Sequence, residues 1–174
     1  MKKFINILSC LIVAMVAMCF TAKAQDDADL LMRDSWISLQ MTGDELTERE
    51  EQEVVAFNTS SGDYLVAYSS RPNMLVITSK NGIFDFDRSS MKILIGYYNE
   101  NDELVKKETP YFFKLGSYSS GYTGGADGKS LMQYIRTQKG YVRIVIDRYR
   151  GANFDVKFPT WASTPPVKTN QTID

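Results

Sequence analysis

The 174-residue chain has no histidine and only two cysteines, Cys10 and Cys19. Without imidazole, Ser-His-Asp and Cys-His nucleophiles, histidine acid-base work and ordinary zinc or copper sites all lose a required side chain. Only carboxylates, lysine, tyrosine and serine remain for catalysis, so the composition favours a non-catalytic role over an enzyme. No cofactor and no metal is expected.

The cysteines sit in an N-terminal segment, "MKKFINILSCLIVAMVAMCFTAKAQ". Lys2 and Lys3 precede an apolar stretch from Phe4 to Phe20, and Ala22 and Ala24 follow. This order is that of a secretory signal peptide over residues 1–24, with cleavage expected after Ala24. Neither cysteine suits a lipid anchor, since Cys10 comes too early and Cys19 follows the bulky Met18. The expected product is exported, with the periplasm, the extracellular space and association with the outer envelope as its expected locations, and no membrane span left.

Removing 24 of 174 residues leaves 150, one ordinary domain without a disulfide. Taking Lys2, Lys3 and Lys23 from 20 basic residues leaves 17 against 21 acidic ones, a net charge of −4. The charge is unevenly spread. Residues 25–62 hold ten acidic and two basic residues, and residues 127–160 hold three acidic and seven basic.

Along the chain, residues 25–32 read as a flexible lead. Short apolar or alternating runs follow: "SWISLQM", "EVVAFNTS", "YLVAYS", "MLVITS", "IFDFD", "MKILIGYY", "LVKKE", "YFFKLGSY", "YVRIVIDRY" and "NFDVKF". Turn signals such as "SSGD", "SRPN" and "KNG" separate them. Helical spacing occurs only from Ser130, through Leu131, Tyr134 and Ile135 to Gly140. The fold class is therefore all-β and mainly antiparallel, a sandwich or barrel-like domain over residues 33–160, with one short helix closing an open end. Residues 161–174 contain prolines and small polar residues and read as an irregular tail.

"TGGADGKS", residues 123–130, imitates a phosphate-binding loop but has Thr123 where the first glycine belongs, and no buried strand precedes it. Its glycines are expected to form a mobile approach to the helix, capped by Asp127 or Ser130. Asp85 and Asp87 share one strand face, a pairing that would suit a carboxylate-dependent glycan hydrolase and that simple alternation also produces. The acidic runs Glu48–Glu53 and Asn99–Glu103 lack the spacing of a calcium loop.

The strongest candidate for binding is the C-terminal cluster of Tyr141, Arg143, Arg148, Tyr149 and Arg150, with Lys157 nearby and Tyr122 as a loop aromatic. Interleaved arginine and tyrosine suit an anionic glycan, a lipid phosphate or an acidic protein surface. Nucleic acid is a poor fit to an acidic, exported chain. Strand parity sets Arg143 opposite Arg148 and Arg150 unless the strand ends or bulges near Asp147.

The sequence of strands, then Gly-Lys-Ser and a short helix, then "KGYVRIVIDRYRGANFDVKFP", resembles small exported bacterial β-sandwich proteins, mostly of unknown function. The resemblance is one of layout over residues 33–160. It implies a sandwich in the cell envelope and brings no catalytic residue, and the lack of cysteine after residue 24 sets this chain apart from disulfide-stapled relatives of that type. The expected function is a non-catalytic binding or assembly module of the envelope.

Overall fold

The computed structural model describes residues 34–41, 52–68, 71, 73–80 and 82–173. The expected signal segment and flexible lead, and most of the acidic run before β2, lie outside them. Twelve strands and one helix occur among the described residues: β1 (Trp36–Met41), β2 (Gln52–Asn58), β3 (Tyr64–Tyr68), β4 (Leu75–Thr78), β5 (Ser90–Lys92), β6 (Leu94–Tyr98), β7 (Leu104–Glu108), β8 (Tyr111–Leu115), β9 (Ser117–Thr123), α1 (Gly125–Thr137), β10 (Tyr141–Ile146), β11 (Phe154–Pro159) and β12 (Val167–Ile173). They form an eight-stranded sheet, β12-β1-β2-β3-β4-β9-β8-β5, and a four-stranded sheet, β11-β10-β6-β7. Among the described residues the expected all-β sandwich with one short helix is what forms. Among the described residues no helix is long and apolar enough to cross a membrane.

Alternation in β10 and β11 builds the four-stranded half. Val142, Ile144, Ile146, Phe154, Val156 and Phe158 are buried, and the residues between them point outward. The inward set meets Trp36, Phe57, Leu65, Leu75 and Ile77 of the larger sheet in one core. Trp36 joins the layers, with its ring 5.2 Å from Phe57 and 5.6 Å from Phe158 and its Nε1 donating to the Pro159 carbonyl at 2.7 Å. Each such fully buried large side chain contributes about 1.5–3 kcal/mol by leaving water.

The larger sheet is apolar on both faces. Ile37, Leu39, Val54, Val66 and Val76 form a second buried cluster on its other side. This explains why "EVVAF" and "MLVIT" are continuous apolar runs rather than alternating ones.

Four expectations change at this level. "MKILIGYY" is not one strand: it breaks at Ile93, whose N–H goes to the Pro110 carbonyl, so β5 and β6 belong to different sheets. "IFDFD" makes only isolated bridges, Phe84 with Arg148 and Asp87 with Ser90, because it crosses between the sheets. Its N–H groups at Phe84 and Asp85 reach the carbonyls of Tyr118 and Asp147.

The helix begins at Gly125, inside the glycine stretch, with Gly124 as its N-cap and no side-chain cap from Asp127 or Ser130. Gly128 is needed there for space, since a Cβ would lie 2.2 Å from the Asn73 carbonyl oxygen. At the other end Gly140 adopts φ +130°, and a Cβ would meet the Tyr98 carbonyl oxygen at 1.9 Å.

The tail is also ordered. Trp161 donates its backbone N–H to the Ile135 carbonyl and packs 5.7 Å from Trp36, and β12 pairs parallel with β1. The prolines end at Pro166, and "VKTNQTI" after them is rich enough in β-branched residues to take the free edge of β1.

Candidate functional site

Register places three cations in one lateral row across the outer face of the four-stranded sheet. Arg143 lies opposite Lys157 on β11 and opposite Gly96 on β6, and Gly96 lies opposite Lys107 on β7. One neighbouring row is Tyr141, Tyr98 and Leu104. The other includes Asp155, Val145 and Leu94. Gly96 has no side chain, and the Tyr98 ring and Leu104 lie over it, together forming the floor of a groove of about 430 Å3.

Neighbours fix each charge. Arg143 donates through Nε and Nη2 to the two Asp155 oxygens at 2.8 and 2.6 Å, a two-point bond across β10 and β11. The same bond raises the Arg143 pKa and lowers that of Asp155. Lys157 lies 4.3 Å over the Tyr141 ring and 4.0 Å from Asp102. Its pKa is raised, chiefly by Tyr141, so it keeps its proton at neutral pH. Tyr141 stacks on Tyr98 at 4.5 Å and donates its hydroxyl to Asp102. Burial, helped by that carboxylate, raises the Tyr141 pKa and keeps the phenol neutral.

The turn carrying Asp102 is held by Asn99, whose Oδ1 accepts the N–H groups of Asn101 and Glu103, both at 3.0 Å. That acidic run is therefore a hydrogen-bonded turn. Among the described residues no three carboxylates converge to hold a metal.

Comparison with protein-family models, curated proteins and solved structures finds no match. The site therefore has to be read from its own chemistry.

Only two of the six sequence candidates, Tyr141 and Arg143, belong to this face. β10 ends at Ile146, and the chain then turns, so Arg148 points inward rather than beside Arg143. Its Nη2 meets Ser79 at 2.8 Å and Asp63 at 3.3 Å, with 14% and 4% of the Arg148 and Asp63 side chains exposed. Gly82 leaves room for it, and its buried Nε has no hydrogen-bond partner among the described residues. Arg148 is thus a tie between the layers.

Tyr149 and Arg150 lie on the exposed turn after β10, with the guanidinium 5.4 Å over the ring. Tyr122 is in β9, not on a loop, and packs 5.6 Å from Phe113 on the outer side of the larger sheet. Asp85 and Asp87 are exposed beside the inward Phe84 and Phe86, and neither lines the groove.

Lys107 and Gly96 were missed. Both follow from pairing "LVKKE" with "ILIGYY", but a bulge between Tyr97 and Tyr98 sets which lysine faces outward. Lys106 turns to the helix side instead, 2.5 Å from Glu108 and 3.2 Å from the Ser130 hydroxyl.

Proposed function

We propose that the chain is an exported, non-catalytic binding module of the cell envelope whose ligand, an anionic glycan, rests on the outer face of the four-stranded sheet. One observation carries this reading: Arg143 and Lys107 flank Gly96 in a single register row at the floor of the groove. Neighbouring strands lie about 4.8 Å apart, so an anion above Gly96 is one strand away from each cation. Lys157 extends the positive row, and exposed apolar and aromatic groups beside it supply contact area. Export is supported by the N-terminal residue pattern, and the lack of histidine and cysteine in the remaining chain supports a non-catalytic role.

The test is amide NMR titration of the purified protein with polygalacturonate, heparin and neutral dextran at low and high salt. Either polyanion should shift the amides of Gly96, Lys107 and Arg143, salt should abolish the shift, and dextran should have no effect. Shifts confined to other surfaces, or none with either polyanion, would reject the reading.

A further inference from the structure

We infer that the groove recognises a sugar acid that carries its charge as a single carboxylate on a hydroxylated ring. The inference rests on the binding reading above and specifies its ligand.

The charge balance sets the first requirement. Of the three cations in the row, Arg143 is matched by Asp155 and Lys157 lies beside Asp102, whereas Lys107 has no ion-pair partner among the described residues. The face therefore has one uncompensated positive charge next to the floor. One carboxylate balances it. A phosphate monoester, at about −1.5 to −2, would set a surplus negative charge against Asp155.

The floor sets the second requirement. Above Gly96 the Tyr98 ring edge and Leu104 lie between Arg143 and Lys107, so a planar carboxylate resting on that low bridge can accept from the Lys107 ammonium and from an Arg143 N–H that the Asp155 bond does not use.

The rim then distinguishes a sugar from a fatty acid. Asp155 oxygens each take one Arg143 hydrogen bond and keep further lone pairs, and Asn153 uses its Nδ2 on Asp147 at 2.8 Å, leaving its carbonyl oxygen as an acceptor. These acceptors call for hydroxyl donors, which a fatty acid lacks. Leu94, Leu104 and Val145 offer apolar contact for the C–H face of a ring. A volume of about 430 Å3 falls in the range of small-ligand sites.

Galacturonate, glucuronate and N-acetylneuraminate are the acid probes, with galactose, galactose 6-phosphate and octanoate as comparators, all followed by amide NMR. At least one acid should shift Gly96, Lys107 and Arg143 saturably and bind at least tenfold more tightly than each comparator. Lys107→Gln should weaken it about tenfold. Gly96→Ala should do at least as much, since its Cβ would sit on the floor 2.9 Å from Tyr98 Cε2. Unchanged amides in β3 and β4 will show that both variants remain folded.

Galactose 6-phosphate or octanoate binding at the same amides as tightly as the acids would overturn the sugar-acid assignment while leaving anion binding intact. Failure of all three acids when polygalacturonate or heparin still shifts the row would do the same. Failure of monomers and polyanions together would remove both readings. An acid whose affinity is indifferent to Lys107→Gln would also overturn the inference.

Discussion

Arg143 and Arg148 are five residues apart and have the same side chain, yet they do opposite work. Arg143 lies on the wet face of β10, 43% exposed, in a two-point bond with an equally exposed Asp155. Arg148, just past the strand end, runs between the layers to Asp63 and Ser79. The difference teaches that the end of a strand, rather than residue type or local composition, decides whether a cation becomes surface or framework. In water a paired charge gains little, whereas in the interior the loss of one partner leaves the other stranded.

The largest effect should come from the framework arginine. Arg148→Gln leaves Asp63 buried without its cation and should cost about 3 kcal/mol, lowering Tm by roughly 6–12 °C in a scanning calorimeter. A change under about 1 kcal/mol would erase the contrast between the two arginines.

Next in size, Gly128→Ala forces a methyl group against the Asn73 carbonyl and should cost about 1–3 kcal/mol in urea unfolding. Pairing Arg148→Met with Asp63→Asn removes both charges and should recover part of the loss seen in Arg148→Gln. If the double variant is worse than the single one, the pair contributes more than the relief of a stranded charge.

On the open face, Arg143→Gln should change stability by less than about 1 kcal/mol while weakening polyanion binding, which separates folding from recognition in one variant.

The smallest effect concerns acid. Hydrogen bonds from Arg143 outweigh partial burial and hold the Asp155 carboxyl below its usual value. A depressed folded-state pKa adds stability above the ordinary aspartate value of roughly 3.9, and that stability fades as pH falls through the lowered value. Asp155→Asn should therefore remove a small contribution that is present above about pH 4 and already fading below it. With 43% of the side chain exposed, it should amount to no more than about 0.5 kcal/mol in pH-dependent melts.

Much of the architecture was legible because local pattern and burial agree. "YVRIVI" and "FDVKF" alternate as strands with one wet face, and the runs from Val54 to Ile77 read as strands because their apolar residues are continuous. What could not be read depends on contacts distant in sequence. Nothing local in "MKILIGYY" marks Ile93 as the point where the chain changes sheets, since Pro110 takes its N–H from elsewhere. Gly125 and Gly128 are poor helix formers, yet both lie in the first turn, where Gly128 comes too close to Asn73 for any side chain.

The candidate site was half legible for the same reason. Tyr141 and Arg143 were visible as a local cluster, but their true neighbours Gly96 and Lys107 come from other strands through a register offset by a bulge. Arg148 misled because the sequence marks Asp147 as a place where parity can change without giving the new direction.

The pairing of β1 with β12 has a consequence in time. Ile37 and Val167 are partners although 129 residues lie between them, and the edge they make is parallel with an irregular register. Closing so distant a pair is slow compared with forming hairpins such as β2 with β3. During synthesis, β1 can pair with β2 soon after both emerge, but its other edge stays open until nearly the whole described domain has been made. That interval is when the nascent chain is most exposed to wrong strand partners, and the last strand ends it.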